Sequence, residues 1–151
     1  MLYDSLLEFS DAQDIASGTL SSGSTVVSEL VRDLGSGEKD AFGGALTPDI
    51  GNGGELHWHV IVTNEAFVGA SAQVVCTLVS KASSASISSG GTTHATITIP
   101  AASAIGTWYS VPVPPGTLYR YLGVLYTASG GNLTAGNVDS FLATAPRQIV
   151  D

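Results

Sequence analysis

The sequence predicts an all-β fold, a single domain over residues 1–151 of antiparallel sheets packed face to face as a β-sandwich or jelly roll, and three observations lead to it. Apolar and polar residues alternate with period two in several short runs. Turns rich in Gly, Ser and Pro separate those runs at short intervals. No window repeats apolar residues at i, i+3, i+4 and i+7 over three capped turns, so regular helices are not expected.

In chain order, the first expected strand covers residues 24–30. From about Asp33 to Gly54 the chain is Gly-rich, irregular and long for one connection, so it is read as a functional loop or a mobile arm near 33–54. Residues 56–63 alternate Leu56, Trp58, Val60 and Val62 against His57, His59, Ile61 and Thr63, a pattern of β-branched and aromatic residues that marks a strand. Residues 72–80 repeat it. Ala95, Ile97 and Ile99 alternate with His94, Thr96 and Thr98, and Pro100 closes that strand. Further strands are expected at 107–113, 118–127 and 137–144. The intervening turns include Ser88-Ser89-Gly90-Gly91, Pro114-Pro115-Gly116 and Ser129-Gly130-Gly131-Asn132, and an extended tail, residues 145–151, lies outside any strand pattern.

A chain of 151 residues buries roughly 70% of the surface its unfolded form exposes, so neither a metal nor a disulfide is required for stability. Cys76 is the sole cysteine and sits at strand spacing among Ala72, Val74 and Leu78, so it reads as a small buried hydrophobe. An acid at Asp4 stands where an export signal would carry basic residues, so folding in a cytoplasm is expected. No apolar run approaches the roughly 20 residues that span a bilayer.

Charge narrows the function further. The net charge is −8, which repels phosphate backbones, so no nucleic-acid partner is expected. Eleven of the 13 acids lie in residues 1–65 against Arg32 and Lys39, a net of −9, whereas between Glu65 and Asp139 only Lys81 and Arg120 are charged. An ordinary domain has about a quarter of its residues charged, so sparse charge over this stretch suits a surface that a partner covers.

Candidate chemistry is thin. His57 and His59, two apart on one strand face, could share a cation, but they lack a third ligand; the alternative is a solvent-facing or interface pair. Paired carboxylates at Asp11/Asp14 and Glu38/Asp40 read as a solvated acidic face. No Gly-x-Ser-x-Gly elbow and no Gly-Lys-Ser/Thr loop occurs. No catalytic, cofactor-binding or metal-binding residue is therefore expected. Residues 118–126 are apolar on both faces, so that strand is central in its sheet or lies under a partner. Arg120 within it is either an interface residue among tyrosines or a snorkelling charge on a core strand.

The segment Leu7-Glu8-Phe9-Ser10-Asp11-Ala12-Gln13, the run Val113-Pro114-Pro115-Gly116-Thr117-Leu118-Tyr119-Arg120-Tyr121-Leu122 and the later Leu133-Thr134-Ala135-Gly136 resemble, in order, motifs of the Bbp16-like capsid cement proteins of tailed bacteriophages. The likeness runs from the start to about Phe141. It implies a jelly-roll virion protein, assembled in the bacterial cytoplasm, that binds the outer surface of the capsid and strengthens the shell. The implied partners are the major capsid protein and further copies of itself, a dimer before a trimer. Phe9, Asp11, Trp108, Tyr109, Tyr119, Arg120 and Tyr121 are the expected interface residues. The competing expectation is a carbohydrate- or receptor-binding jelly roll, which requires exposed aromatics near polar loops and for which Trp58, Trp108 and Tyr109 are the only candidates.

Overall fold

The computed structural model describes residues 7–34, 56–114 and 119–144, without the side chains of 85, 86 and 144. The chain is all-β. Its strands are β1 (Glu8–Asp14), β2 (Thr25–Val27), β3 (Arg32–Asp33), β4 (Leu56–Val68), β5 (Gln73–Lys81), β6 (Thr92–Ile99), β7 (Trp108–Pro112), β8 (Tyr121–Ser129) and β9 (Ala135–Thr144). Between β5 and β6 lies one 3-10 turn, Ser84–Ser89.

All strand pairs are antiparallel, and they form two sheets. The first has the order β1-β9-β4-β7; the second has the order β2-β8-β5-β6, with β3 pairing beside β2 along the same edge of β8. The outer pairs are nested: β1 with β9, β2 with β8, β4 with β7 and β5 with β6.

Alternation explains how the sheets meet. In β4 it turns Trp58, Val60 and Val62 inward; in β5 it does the same for Val74, Cys76 and Leu78. These side chains join Val124 and Tyr126 of β8 and Val138 and Leu142 of β9 in one core shared by both sheets. Each such burial stabilises the fold by about 1.5–3 kcal/mol relative to exposure.

The expected strands at 56–63, 72–80, 94–99, 107–113, 118–127 and 137–144 correspond to β4 to β9 with shifted ends, and residue 118 lies outside the described residues. The apolar run in β8 is explained by its position and by a second, smaller core. β8 is flanked by β2 and β3 on one side and β5 on the other, and Ile87 of the 3-10 turn packs with Val79 and Leu125 on the outer face. Gly123 makes room for this cover: a Cβ there would stand 3.1 Å from Ile87 Cγ2.

Two expectations need correction. The strand foreseen at 24–30 stops at Val27, where Ser28 turns its hydroxyl onto Leu30 O and accepts the N–H of Val124. Pairing resumes at Arg32–Asp33, so Asp33 belongs to a strand and not to the irregular stretch; residues 35–54 and the tail at 145–151 lie outside the described residues. β1 was not foreseen as a strand. Its register against β9 shifts twice, between Glu8 and Ser10 and between Ser10 and Gln13, and Ala12 adopts a positive φ of 48°. Bulges of this kind erase the two-residue period.

Candidate partner-binding surface

The expected interface residues are spread over the molecule. Phe9 is buried in the shared core and its carbonyl accepts the N–H of Leu30, so its side chain presents no surface to a partner. This corrects its assignment to the interface. Asp11 is exposed on β1, at one edge of the first sheet. Trp108 and Tyr109 lie on β7, at the opposite edge. Tyr109 is half-buried against the core, with its hydroxyl 3.0 Å from Ser103 Oγ. Tyr119, Arg120 and Tyr121 are consecutive and lead into β8.

Trp108 is 43% exposed, and its position is fixed by an inner partner. Its indole N–H donates to Nδ1 of His59 at 3.0 Å. His59 is fully buried, although alternation turns it to the outer face of the first sheet. Its ring packs against Trp108 at 5.4 Å, Phe141 at 5.3 Å and His57 at 6.1 Å. Because the indole nitrogen can only donate, Nδ1 of His59 must carry a lone pair and is engaged. His57 Nδ1 lies 3.1 Å from Ser110 Oγ. The histidine pair is therefore part of an aromatic cluster from β4, β7 and β9. The expectation of a solvent-facing pair holds for neither ring in full, and His94 stands on the other sheet. Among the described residues no group of three or more His, Cys, Asp or Glu side chains could hold a metal ion.

Tyr119 is 53% exposed at the rim of a cleft of about 350 Å³ lined by Ser80, Lys81, Gly91 and Thr92. Its backbone N–H donates to Ser80 Oγ, which also bonds His94 Nε2 at 2.7 Å. Burial lowers the proton affinity of His94. Sequence spacing gave no signal for the Ser80–His94 pair, which the β5–β6 register creates. Arg120 does not snorkel from within a core strand. It precedes β8 and forms a bidentate ion pair with Asp33, at 2.8 and 2.7 Å, with its guanidinium 4.9 Å above the Tyr121 ring. The hydrogen bond to Asp33 raises its proton affinity further. A surface pair of this type adds little stability, but it holds the cation and its tyrosine in one orientation.

Other reactive groups are deep in the core. Cys76 is fully buried, and desolvation pushes its thiol far above the ordinary range. Tyr126 is equally buried and its phenol is shifted upward, first by desolvation.

Fold and surface together define an all-β protein of two antiparallel sheets that exposes single aromatic residues on different faces. Residues 9–142 match the family model named Bbp16, and the chain belongs to the Bbp16 family. That family is phage-associated, and its membership places the chain among phage-related structural proteins. No curated protein matches the chain. Of the motifs that carry the resemblance, the first forms β1, the second leads through Tyr119 and Arg120 into β8, and the third joins β8 to β9.

Proposed function

We propose that this protein is a capsid cement protein: it binds the outer surface of a tailed-phage head and stabilises the shell, with the major capsid protein and further copies of itself as partners. It acts by adhesion and catalyses no reaction. It is assembled onto the virion in the bacterial cytoplasm. The family match over residues 9–142 carries this reading.

Physical features support it. The nested pairing of β1 with β9, β2 with β8, β4 with β7 and β5 with β6 supports a jelly-roll reading, in which a long hairpin is rolled into two facing sheets. Cys76 and Tyr126 are held where no substrate reaches them. Many weak contacts repeated over a lattice suffice for cementing, because each copy bound beside another raises the effective concentration of the next contact. Trp108 and the Tyr119-Arg120-Tyr121 group are the contacts we assign to partners.

The test is to purify virions and quantify their proteins by mass spectrometry. A fixed ratio of this protein to the major capsid protein is expected, with loss of shell resistance to heat when it is stripped. Presence in infected-cell lysate together with absence from purified heads overturns the proposal. The exposed Tyr119 beside the polar cleft at Ser80 and Lys81 favours a second reading, glycan or receptor binding. A glycan array checks it: binding that Tyr119→Ala abolishes supports it, and an array without signal removes it.

A further inference from the structure

The long neutral stretch between Glu65 and Asp139 has two charged residues, Lys81 and Arg120, and the fold brings both to one tyrosine. The β5–β8 register sets Lys81 opposite Tyr121, while Arg120, which precedes Tyr121, lays its guanidinium 4.9 Å above the same ring. On its other flank Tyr121 pairs with Asp33 of β3, whose carboxylate Arg120 grips with two hydrogen bonds. Two cations against one acid leave a local surplus of positive charge in a chain whose net charge is −8. At physiological ionic strength exposed charges more than about 8 Å apart are largely screened, so a group arriving here meets that surplus before it meets the net charge.

The surplus borders the cleft of about 350 Å³ that Lys81 lines with Ser80, Gly91, Thr92 and Tyr119, and hydrogen bonds fix the walls of that cleft. Lys81 Nζ donates to Ser89 Oγ at 2.7 Å, which holds the ammonium beside the 3-10 turn. The Tyr119 N–H donates to Ser80 Oγ at 3.1 Å, and Ser80, fully buried, is bonded in turn to His94 Nε2. Gly91, just before β6, lies so close to the end of β5 that a Cβ there would stand 2.5 Å from Ser80 O, so this part of the wall is bare backbone. Thr92 adds an exposed hydroxyl. An ammonium and a hydroxyl beside an exposed phenol ring suit a small anion on an apolar stem: the anion takes charge-assisted hydrogen bonds and the stem packs on the ring. A single carboxylate matches the small surplus; a polyanion brings more negative charge than the site offsets.

We propose that this cleft receives an aspartate or glutamate side chain of the capsid protein, with Lys81 as the cation that recognises the carboxylate and Tyr119 as the surface on which its stem packs. The proposal deepens the cement reading, on which it rests, by naming the chemistry of the partner. Of the two readings that meet at this cleft, the neighbouring residues favour the protein over a sugar. Arg120 holds a protein carboxylate, that of Asp33, on this same surface, and an arginine among tyrosines is the composition of protein interfaces. The charge of the rest of the chain then orients the contact. It repels an acidic partner elsewhere, so docking proceeds with the cleft foremost.

Co-sedimentation of the whole protein with intact virion heads stripped of it tests the proposal. Wild type is expected to rebind, and to lose binding once the head carboxylates are amidated with carbodiimide and glycinamide; periodate oxidation of head glycans should change nothing. Lys81→Glu should weaken rebinding at least about tenfold by setting like charges together, and Lys81→Arg should retain it. Lys81→Gln should weaken it too, whereas Thr25→Glu, an equal change in net charge at an exposed site on β2, should not. Rebinding that survives amidation, or that periodate abolishes, overturns the proposal, as does Lys81→Glu binding as wild type does. Wild type that never rebinds sinks the cement role, and the cleft is then judged by NMR titration with the peptide acetyl-Gly-Glu-Gly-amide. Saturable shifts of the Tyr119 and Thr92 amides that the glutamine analogue does not produce uphold the carboxylate site; equal shifts from both peptides, or none, overturn it.

Discussion

The phenol of Tyr126, on β8, donates a hydrogen bond to the hydroxyl of Ser10, on β1, at 2.8 Å, joining the two sheets through the middle of their shared core. The direction follows from the neighbours. Ser10 gives its own proton to Gln13 Oε1 at 2.6 Å, so its oxygen must accept from Tyr126. On the far side Trp58 donates to Ser140 Oγ at 2.9 Å, and Ser140 bonds Tyr126. The Gln13 side-chain amide then donates to Val27 O. One oriented chain thus runs from β4 through β9, β8 and β1 to β2, and every buried polar group along it is satisfied.

Tyr126→Phe breaks this chain at its centre and leaves the Ser140 proton without its acceptor. Loss of a buried hydroxyl with stranded partners costs about 1–3 kcal/mol. Urea unfolding should show a lower midpoint with an unchanged slope; an unchanged midpoint contradicts the role assigned to the chain.

Ile87 and Gly123 should be energetically coupled. Ile87→Ala removes a fully covered side chain from the smaller core and is expected to lower stability by about 2–4 kcal/mol. Gly123→Ala in the wild type pushes against Ile87 Cγ2 and should destabilise, whereas in the Ile87→Ala background the added methyl enters vacated space. A double-mutant cycle by thermal denaturation should give a coupling above about 0.5 kcal/mol. Additive effects would disprove the contact.

Stability should fall in mild acid because of His94. Its folded proton affinity lies below the ordinary value of 6.5, so the folded state binds fewer protons than the unfolded chain in that region. The contribution is complete above 6.5, declines as pH drops below it, and is gone once pH passes below the folded value. His94→Gln, which can still bond Ser80, should flatten this part of the profile between pH 7.5 and 5. Parallel profiles for the two proteins count against the assignment.

Cys76 should be silent toward thiol reagents in the folded protein and react fully after unfolding in guanidinium. Its burial excludes the reagent, and desolvation suppresses the thiolate that reacts. Fast labelling under native conditions would show that the core opens there.

Much of the architecture was legible because it is written locally. The alternations in β4, β5 and β6 set both the strands and their inward faces, and they placed Cys76 correctly. The doubly apolar run of β8 announced a strand covered on both faces. Its cover was not legible, since Ile87 is an isolated apolar residue in a serine-rich stretch that reads as a turn. β1 escaped notice because its bulges put the adjacent Phe9 and Ser10 both inside. The candidate surface was less legible than the fold. Trp108 and Tyr119 are exposed as a partner contact requires, but Phe9 is core. His59 looks solvent-facing by alternation and is buried only because β7 and β9 bring Trp108 and Phe141 over it.

Nested pairing also orders events in time. Ala12 on β1 and Asp139 on β9, joined by a hydrogen bond from the Ala12 N–H, are 127 positions apart, while β5 and β6 are neighbours along the chain. The entropic cost of closing a loop rises with its length, so the innermost hairpin is the cheapest to form and the outermost pair the dearest. During synthesis β1 emerges first and waits longest, its ladder groups open until β9 leaves the ribosome. On this ordering of costs the β5–β6 hairpin is expected to close first and the β1–β9 ladder last.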